Sequence, residues 1–326
     1  MISKVKSPES NATGLVSVII PAYNVERYVK EALDSVFSQT YQHFEVIVVN
    51  DGSPDTPALE QILQPYLDRI VYLKQENRGL SGARNTGLRA AKGDFVALLD
   101  ADDIWLSDYL DKQVTYLREN PDKDLVYCNA EFFGDGIAAG QLWMTVCPTV
   151  GEADIAGIIT KRCNVFVAVT ARTAALKAIG FDESLRSCED YDCWLRFVAA
   201  GYRIGYQRYV LARYRRHATS LSSNQVRMSE YNIKVLTKAL DLFPPESQET
   251  TLILQTREKR LAERETLKGK AAVREREFGP AIQHFEESNR YDPSTKKSLL
   301  ILALKIAPSL IWRLYRLRSE VTKKYE

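Results

Sequence analysis

The segment FVALLDADD, residues 95–103, joins an apolar run to three aspartates. Three earlier runs are similarly short and apolar and show little alternation: residues 16–20, 44–50 and 70–74. Strands that are covered on both faces have this pattern. Apolar side chains also recur at helical spacing over residues 26–38, 81–91 and 107–119. Strands that alternate with helices predict an α/β fold with a doubly wound, mostly parallel sheet.

Polar residues follow three of these predicted strands. They are residues 21–24 after the first strand, 50–53 after the second and 100–103 after the fourth. In open α/β sheets, ligands bind beyond the carboxyl ends of the strands. We therefore expect the three polar segments to converge on one edge of the sheet and to form a binding site there.

Asp100 and Asp102 form an Asp-x-Asp pair at the end of the fourth strand. Mg²⁺ and Mn²⁺ prefer hard oxygen ligands and often keep waters and substrate phosphates, so one or two carboxylates are enough to bind them. The pair predicts a divalent-cation site that faces a diphosphate. The alternative is structural, with Asp102 or Asp103 near the N-terminus of the next helix.

Two further segments have the residue types of a nucleotide site. Asp51 is a strand-end acceptor for a base N–H, and Gly52 allows a tight turn, although a simple Asx turn needs the same residues. Tyr23 is placed to stack on a base or to lie in the core. Residues 77–87 form a glycine-bearing loop that enters a helix, where Arg84 is a candidate phosphate or base contact. The alternative is a capped helix with a solvated arginine.

Two motifs in the second half of the predicted α/β domain carry candidate reactive groups. Glu189 and Asp190 precede a predicted helix over residues 191–200, where the helix dipole keeps a carboxylate ionised and able to accept a proton. An acidic helix cap is the alternative. Tyr-Arg-Arg-His, residues 214–217, ends the last strand-like run. His217 is a candidate third metal ligand, and Arg215 is a candidate diphosphate contact.

The composition of the chain restricts the binding partners and the cellular compartment that we expect. The net charge is +2, and the aromatic residues are not interleaved with a basic run, so nucleic acid is not an expected partner. The five cysteines show no C-x2-C spacing and predict reduced thiols in the cytoplasm. Residues 1–14 are polar and lack the apolar region of a signal peptide. No apolar stretch reaches the ~18–20 residues of a membrane-spanning helix.

The chain changes character near residues 220–245, where long helical patterns begin. Gly269, Ala281, Phe285 and Pro293 match the positions of one degenerate tetratricopeptide-type hairpin. Residues 296–326 contain eight Lys or Arg and two Glu, which is typical of an amphipathic helix on an anionic membrane. The alternative is a terminal helix packed on the protein. The predicted divisions are a polar lead (1–14), an α/β domain (15–223), a helical region (224–295) and a basic tail (296–326).

Taken in order, these motifs resemble the family 2 glycosyltransferases of GT-A fold, with a Rossmann-like nucleotide-binding half, over about residues 14–223. The resemblance implies that Asp190 is the catalytic base and that Glu189 and Trp194 shape the acceptor side. It implies inversion by a single in-line displacement. Asn50 departs from the Asp that many members carry. The donor residues expected are Pro21, Tyr23, Asn24, Asp51, Arg84, Asp100 and Ala101, and those expected to hold Mn²⁺ or Mg²⁺ are Asp100, Asp102 and His217.

The expected activity is metal-dependent transfer of a sugar from a nucleotide donor, most commonly a UDP-sugar in this family. The expected acceptor is a saccharide or a lipid-linked sugar of a bacterial cell-surface polysaccharide, and the expected location is the cytoplasm or the inner face of its membrane. Residues 21–24 contain no glycine, which argues against a nucleotidyltransferase and against a nicotinamide enzyme. A catalytically weak nucleotide-sugar-binding scaffold remains as the alternative, although the presence of Asp102 and Asp190 favours the enzyme.

Overall fold

The computed structural model describes residues 14–135, 139–217 and 224–324. The chain forms two compact units that divide after His217. The predicted polar lead, apart from its last residue, and residues 218–223 at the end of the predicted α/β domain lie outside the described residues. The strands of the first unit are Val16–Ala22 (β1), Phe44–Asp51 (β2), Ile70–Gln75 (β3), Phe95–Leu98 (β4), Ile104–Trp105 (β5), Leu125–Gly134 (β6), Val169–Arg172 (β7) and Ile204–Arg216 (β8).

The helices of the first unit lie between these strands. They are Val29–Phe37 (α1), Thr56–Leu63 (α2), Gly79–Ala90 (α3), Tyr109–Glu119 (α4), Trp143–Val146 (α5), Ile155–Ile159 (α6), Thr173–Ile179 (α7) and Glu189–Ala199 (α8). The second unit contains Gln225–Ala239 (α9), Gln248–Arg274 (α10), Phe278–Tyr291 (α11), Thr295–Ile306 (α12) and Pro308–Lys324 (α13).

The strands form one sheet in the order β3-β2-β1-β4-β7-β6-β8-β5. The four strands predicted from the sequence are adjacent and parallel, as expected. The other half of the sheet is mixed, because β7 pairs antiparallel with both β4 and β6, whereas β6 and β8 are parallel. The mostly parallel sheet that the sequence predicts is thus wholly parallel in its first half and mixed in its second. The carboxyl ends of β1, β2 and β4 meet at one edge, and this edge carries the polar segments.

Helix α3 packs unusually close to the sheet, and glycine makes this approach feasible. A Cβ added at Gly87 would lie 2.4 Å from the Cγ2 of Ile19, a buried residue of β1. Only a residue without a side chain fits between the helix and the strand. The same helix carries Arg84, so the contact of Gly87 with Ile19 sets how close Arg84 lies to the carboxyl ends of the strands.

The second unit is helical, and its core forms where α10, α11 and α12 meet. Gly269 faces the ring of Phe285, whose nearest atom would be 3.0 Å from an added Cβ, so α10 and α11 pack closely. Ile301 and Leu304 of α12 complete this core. By length and hydropathy, none of the helices in the described ranges is by itself a candidate membrane span.

The Gly87 contact gives a prediction for folding. Gly87→Ala should destabilise the first unit, because overpacking costs about 1–3 kcal/mol and the better helix propensity of Ala returns only about 1 kcal/mol. Urea denaturation of both proteins measures the difference. In an Ile19→Ala background the clash is absent, so the same Gly87→Ala change should be neutral or stabilising. An equal loss of stability in both backgrounds would show that the contact is not the cause.

Candidate active site

The ends of β1 and β2 are tied together by a small network of backbone and side-chain hydrogen bonds. The backbone N–H of Asn24, which has φ of 54°, donates to Oγ of Ser53 at 2.7 Å. The N–H of Ser53 donates to Oδ1 of Asn50 at 2.9 Å. Asn50 thus builds the turn through its amide side chain. Tyr23 lies beside this network and is 46% exposed, so its ring is available to a ligand.

Asp51 is buried and braces three segments of the site. Its Oδ1 accepts hydrogen bonds from Nε2 of Gln75 at 2.6 Å and from the backbone N–H of Arg78 at 2.9 Å. The adjacent Gly52 has φ of 64°, and an added Cβ would lie 2.8 Å from the backbone nitrogen of Asn77. The end of β2 is therefore held against the loop that leads into α3.

Arg84 forms the central ion pairs of the site. Its NH1 donates to Oε1 of Glu189 and its NH2 to Oδ1 of Asp100, both at 2.7 Å. Burial disfavours the charge, but the two carboxylates together raise the pKa of Arg84 above its usual value. The side chain is 1% exposed. In this structure the side chain is enclosed and connects the aspartate motif to α8. A contact between Arg84 and the nucleotide stays a prediction.

Glu189 and Asp190 begin α8 directly beside this arginine. Burial raises the pKa of Glu189 to about 6, opposed by Arg84 and reinforced by Asp190. Burial also raises the pKa of Asp190, again opposed by Arg84. Oδ1 of Asp190 accepts a hydrogen bond from the N–H of Tyr191 at 2.7 Å. Two neighbouring carboxyl groups thus share the field of one buried cation, and Asp190 is the more exposed of the two.

Asp102 and His217 lie together on the other side of the aspartate motif. Nε2 of His217 is 3.0 Å from Oδ2 of Asp102, and the imidazole stacks on Tyr28 with the ring centroids 5.2 Å apart. Two ligands in adjacent positions of an octahedral Mg²⁺ or Mn²⁺ site also stand about 3 Å apart. The pair is hydrogen-bonded in this structure, and its spacing would suit two adjacent ligands of such a cation once the proton between them is released. Asp100 is near but directs one oxygen to Arg84.

The described residues contain no cluster of three or more His, Cys, Asp or Glu side chains that would hold a metal by themselves. Mg²⁺ and Mn²⁺ sites often complete their coordination with waters and substrate phosphates. A cation bound at Asp102 and His217 would depend on a phosphate ligand in the same way.

Asp103 anchors the last strand to the aspartate motif. Its Oδ1 accepts from the backbone N–H of Arg215 at 2.8 Å, and burial raises its pKa well above the usual value. Nε of Arg215 donates to the carbonyl of Asp102 at 2.8 Å. The helix that follows begins only at Tyr109, after β5, so the alternative of a helix cap at Asp102 or Asp103 is wrong.

Sequence reasoning missed the aromatic residues that hold Arg215. Its guanidinium carbon lies 4.8 Å from the ring centre of Tyr28 and 4.3 Å from that of Phe133, and its NH2 donates to Glu31 at 2.9 Å. In the sequence, Tyr28 is simply one of the apolar positions of a helix, and no motif contains Phe133. Arg215 is therefore held by protein contacts on several sides.

Three of the expected donor and acceptor residues offer little surface to a ligand. Trp194 is 1% exposed and packs edge-on against Phe181, with the ring centroids 6.2 Å apart. Its ring thus packs behind α8, and the expectation that it shapes the acceptor side stays a prediction. Pro21 and Ala101 are also buried, whereas Asn24 is exposed beside Tyr23.

Comparison with known proteins identifies relatives of this chain. The family model "Glycosyl transferase family 2" matches residues 17–162. An uncharacterized glycosyltransferase of Rickettsia prowazekii is 32% identical over 239 residues, which are 69% of this chain and 73% of the relative. The minor teichoic acid biosynthesis protein GgaB of Bacillus subtilis is 32% identical over 182 residues, which are 53% of this chain and 20% of that protein.

Solved structures confirm the expected GT-A fold. S. aureus TarS 1–349, in complex with UDP-GlcNAc, is 22% identical with a TM-score of 0.62, and the match covers 95% of this chain and 92% of that one. The mannosyltransferase PcManGT of Pyrobaculum calidifontis, in complex with GDP-Man and Mn²⁺, is 19% identical with a TM-score of 0.59. That match covers 92% of this chain and 84% of the neighbour.

The buried ion pairs of Arg84 give a stability prediction with a pH signature. Arg84→Met should cost about 3–5 kcal/mol, because it leaves the carboxylates of Asp100 and Glu189 without their cation. Without Arg84, the pKa of Glu189 should rise further above its unfolded value of 4.5. At pH values between 4.5 and this raised pKa, the folded variant then binds more protons than the unfolded chain. Its stability therefore falls as the pH rises through this range.

Urea denaturation of wild type and Arg84→Met at about pH 5 and about pH 8 tests this direction of the pH dependence. The loss caused by the substitution should be larger at the higher pH. Arg78→Met is the matched control, because Arg78 pairs with Glu183 at the surface, where such pairs contribute about 0–1 kcal/mol. A loss for Arg84→Met that does not depend on pH would contradict the assignment of Arg84 as the partner of two charged carboxylates.

Proposed function

Because the chain belongs to glycosyltransferase family 2, we propose that it transfers a sugar, with inversion, from a nucleotide diphosphate donor to an acceptor hydroxyl. The donor we propose is a UDP-sugar, which the UDP-GlcNAc complex of TarS supports. The acceptor we propose is a saccharide or a lipid-linked sugar of a bacterial cell-surface polysaccharide, which the name of GgaB supports. The observation that carries the proposal is the Arg84 bridge from Asp100 to Glu189, the neighbour of Asp190.

In this proposal, residues 15–223 form the catalytic domain and the ends of β1, β2 and β4 bind the donor. Tyr23 is exposed and available to stack on the base. Asp51 shapes the nucleoside pocket through the loop that it braces. Asp100, Asp102 and His217 would hold Mn²⁺ or Mg²⁺, a metal dependence that the Mn²⁺ complex of PcManGT supports. Such a cation supplies positive charge that stabilises the departing diphosphate.

Asp190 acts as the general base. It accepts the proton of the acceptor hydroxyl while the hydroxyl oxygen attacks the anomeric carbon, and the bond from that carbon to the diphosphate breaks in the same displacement. Attack opposite the leaving group inverts the anomeric configuration. Burial raises the pKa of Asp190 and so makes its carboxylate a stronger base. Glu189 serves as a positioning residue, because its ion pair with Arg84 fixes the start of α8.

The compartment we propose is the cytoplasm. None of the five cysteines forms a disulfide, and burial raises the pKa of Cys128 and Cys193 to about 12, which keeps these thiols protonated. Disulfides are rare in reducing compartments, and buried neutral thiols are inert there. Peripheral contact of residues 296–326 with the inner membrane face belongs to the same proposal, since it would place the enzyme near a lipid-linked acceptor.

Donor hydrolysis and transfer test this function with two variants. Nucleotide-sugars are first screened for thermal stabilisation with and without Mn²⁺. With the selected donor, wild type should slowly release nucleoside diphosphate, and Asp102→Ala should abolish the release. Asp190→Asn should slow transfer by about 10²–10⁴-fold while donor affinity stays within a few fold, because the base acts on the acceptor.

The two substitutions also separate the enzyme from a binding scaffold. Asp122→Asn is a control that makes the same change at the surface, because Asp122 is exposed and pairs with Lys123 and Arg203; its effect on transfer should be small. If wild type binds the donor tightly but releases no nucleoside diphosphate, the chain is a nucleotide-sugar-binding scaffold. If Asp190→Asn transfers sugar at nearly the wild-type rate, another group is the base.

A further inference from the structure

Helix α12 is apolar on two opposite sides, but the core of the second unit uses only one of them. Ile301 and Leu304 are buried against α10 and α11. Leu299, Leu302 and Ile306 recur at i, i+3 and i+7 on the other side and are 61%, 54% and 74% exposed. A helix that is apolar all round is normally buried in a core or in a membrane. The outer side of α12 therefore lacks a covering layer in the described part of the chain.

Helix α13, which follows a sharp bend, also has one apolar side packed on the core and other apolar residues exposed. Ile311, Trp312 and Tyr315 pack against the core of the unit, whereas Leu310 and Leu314 are each 55% exposed. The axes of Thr295–Ile306 and Pro308–Arg316 differ by 117°. We call Leu299, Leu302, Ile306, Leu310 and Leu314 the outer leucine-rich face. Five large apolar side chains exposed along two successive helices mark an interaction surface rather than scattered exposure.

The charged residues of the segment that carries this face all have the same sign. Residues 295–316 contain five Lys or Arg and no Asp or Glu. Lys296, Arg313 and Arg316 are exposed. Two of the lysines are already paired with acidic residues elsewhere in the unit, Lys297 with Asp292 and Lys305 with Glu286. Lys296 and Arg313 thus place exposed positive charge within one helical turn of Leu299 and Leu310, respectively.

We propose that the outer leucine-rich face binds the surface of an anionic lipid bilayer. The apolar side chains enter the boundary between headgroups and acyl chains, and the long basic side chains reach the phosphates. Each Lys or Arg close to an anionic surface strengthens binding by about fivefold. Because Ile301 and Leu304 hold α12 along the protein, the helix presents its outer side to the bilayer and lies parallel to it.

A second copy of this chain fits the face less well. A two-fold interface places the same patch on both partners, so the basic residues around one face would meet those around the other. Like charges brought together in this way oppose association, and the cores of protein interfaces are depleted in Lys. An anionic bilayer supplies the opposite charge at every point of the face.

The proposal deepens the membrane contact in the proposed function but is tested without any sugar. The full chain is mixed with vesicles of phosphatidylcholine, with or without phosphatidylglycerol, and bound protein is measured by flotation. Wild type should bind the vesicles that contain phosphatidylglycerol, and binding should fall with added salt. The triple variant Leu299→Gln, Leu302→Gln and Ile306→Gln should bind at least about tenfold more weakly.

Matched variants keep this result interpretable. Leu67→Gln, Val71→Gln and Leu254→Gln change three exposed apolar residues outside the face and should bind like wild type. Lys296→Gln with Arg313→Gln should weaken binding to anionic vesicles more than Lys259→Gln with Lys270→Gln, which makes the same charge change on α10. Circular dichroism checks that every variant remains helical, and donor hydrolysis should be unchanged in the triple variant.

Three outcomes would overturn the proposal. One is wild type that does not float with anionic vesicles, and another is a triple variant that floats as well as wild type. The third is wild type that sediments as a dimer without vesicles while the triple variant sediments as a monomer, which would assign the face to a second copy. None of these outcomes bears on sugar transfer, whose failure would appear instead as absent nucleoside diphosphate release.

Discussion

The buried guanidinium of Arg84 is the interaction on which the site depends. It forms ion pairs at 2.7 Å with Asp100, 16 residues later in the chain, and with Glu189, 105 residues later. A cation enclosed in this way is stable only with its partners in place, and the carboxylates likewise need the cation. The aspartate motif at the end of β4 and the first turn of α8 are therefore held in one fixed relation. In the proposed reaction, this fixed arrangement positions the base Asp190 relative to the bound donor.

Packing and backbone geometry place that guanidinium. Gly87 lets α3 approach β1 closely enough for Arg84 to enter the sheet edge. Asp51 holds the loop before α3 through the N–H of Arg78. On the far side, Asp103 and Arg215 attach β8 to the same motif and bring His217 to Asp102. Short contacts of this kind convert separate strand ends into a preorganised site, as transition-state stabilisation requires.

Much of this arrangement could be predicted from the sequence, for physical reasons. Strands β1, β2 and β4 are largely buried on both faces, so their sequences are apolar runs, and polar residues at their ends then mark the ligand edge. The role of Arg84 was not predictable in the same way, because its partner Glu189 is distant in sequence and a helix-entry arginine is usually solvated. Strand β7 has four residues, too few to show an alternation of apolar and polar side chains, so the antiparallel pairs of the sheet could not be predicted. Trp194 points inward because it lies on the buried side of α8. The sequence around Glu189 and Asp190 does not show which side of the helix is buried.

In the proposed mechanism, one donor site and one base act in a single displacement. The stereochemistry of the product tests this mechanism most directly. The transferred sugar is followed by proton NMR with a donor of known anomeric configuration and an acceptor that supports turnover. A product whose new linkage has the anomeric configuration opposite to that of the donor is the predicted result. A product that retains the donor configuration would require two successive displacements and would contradict the account.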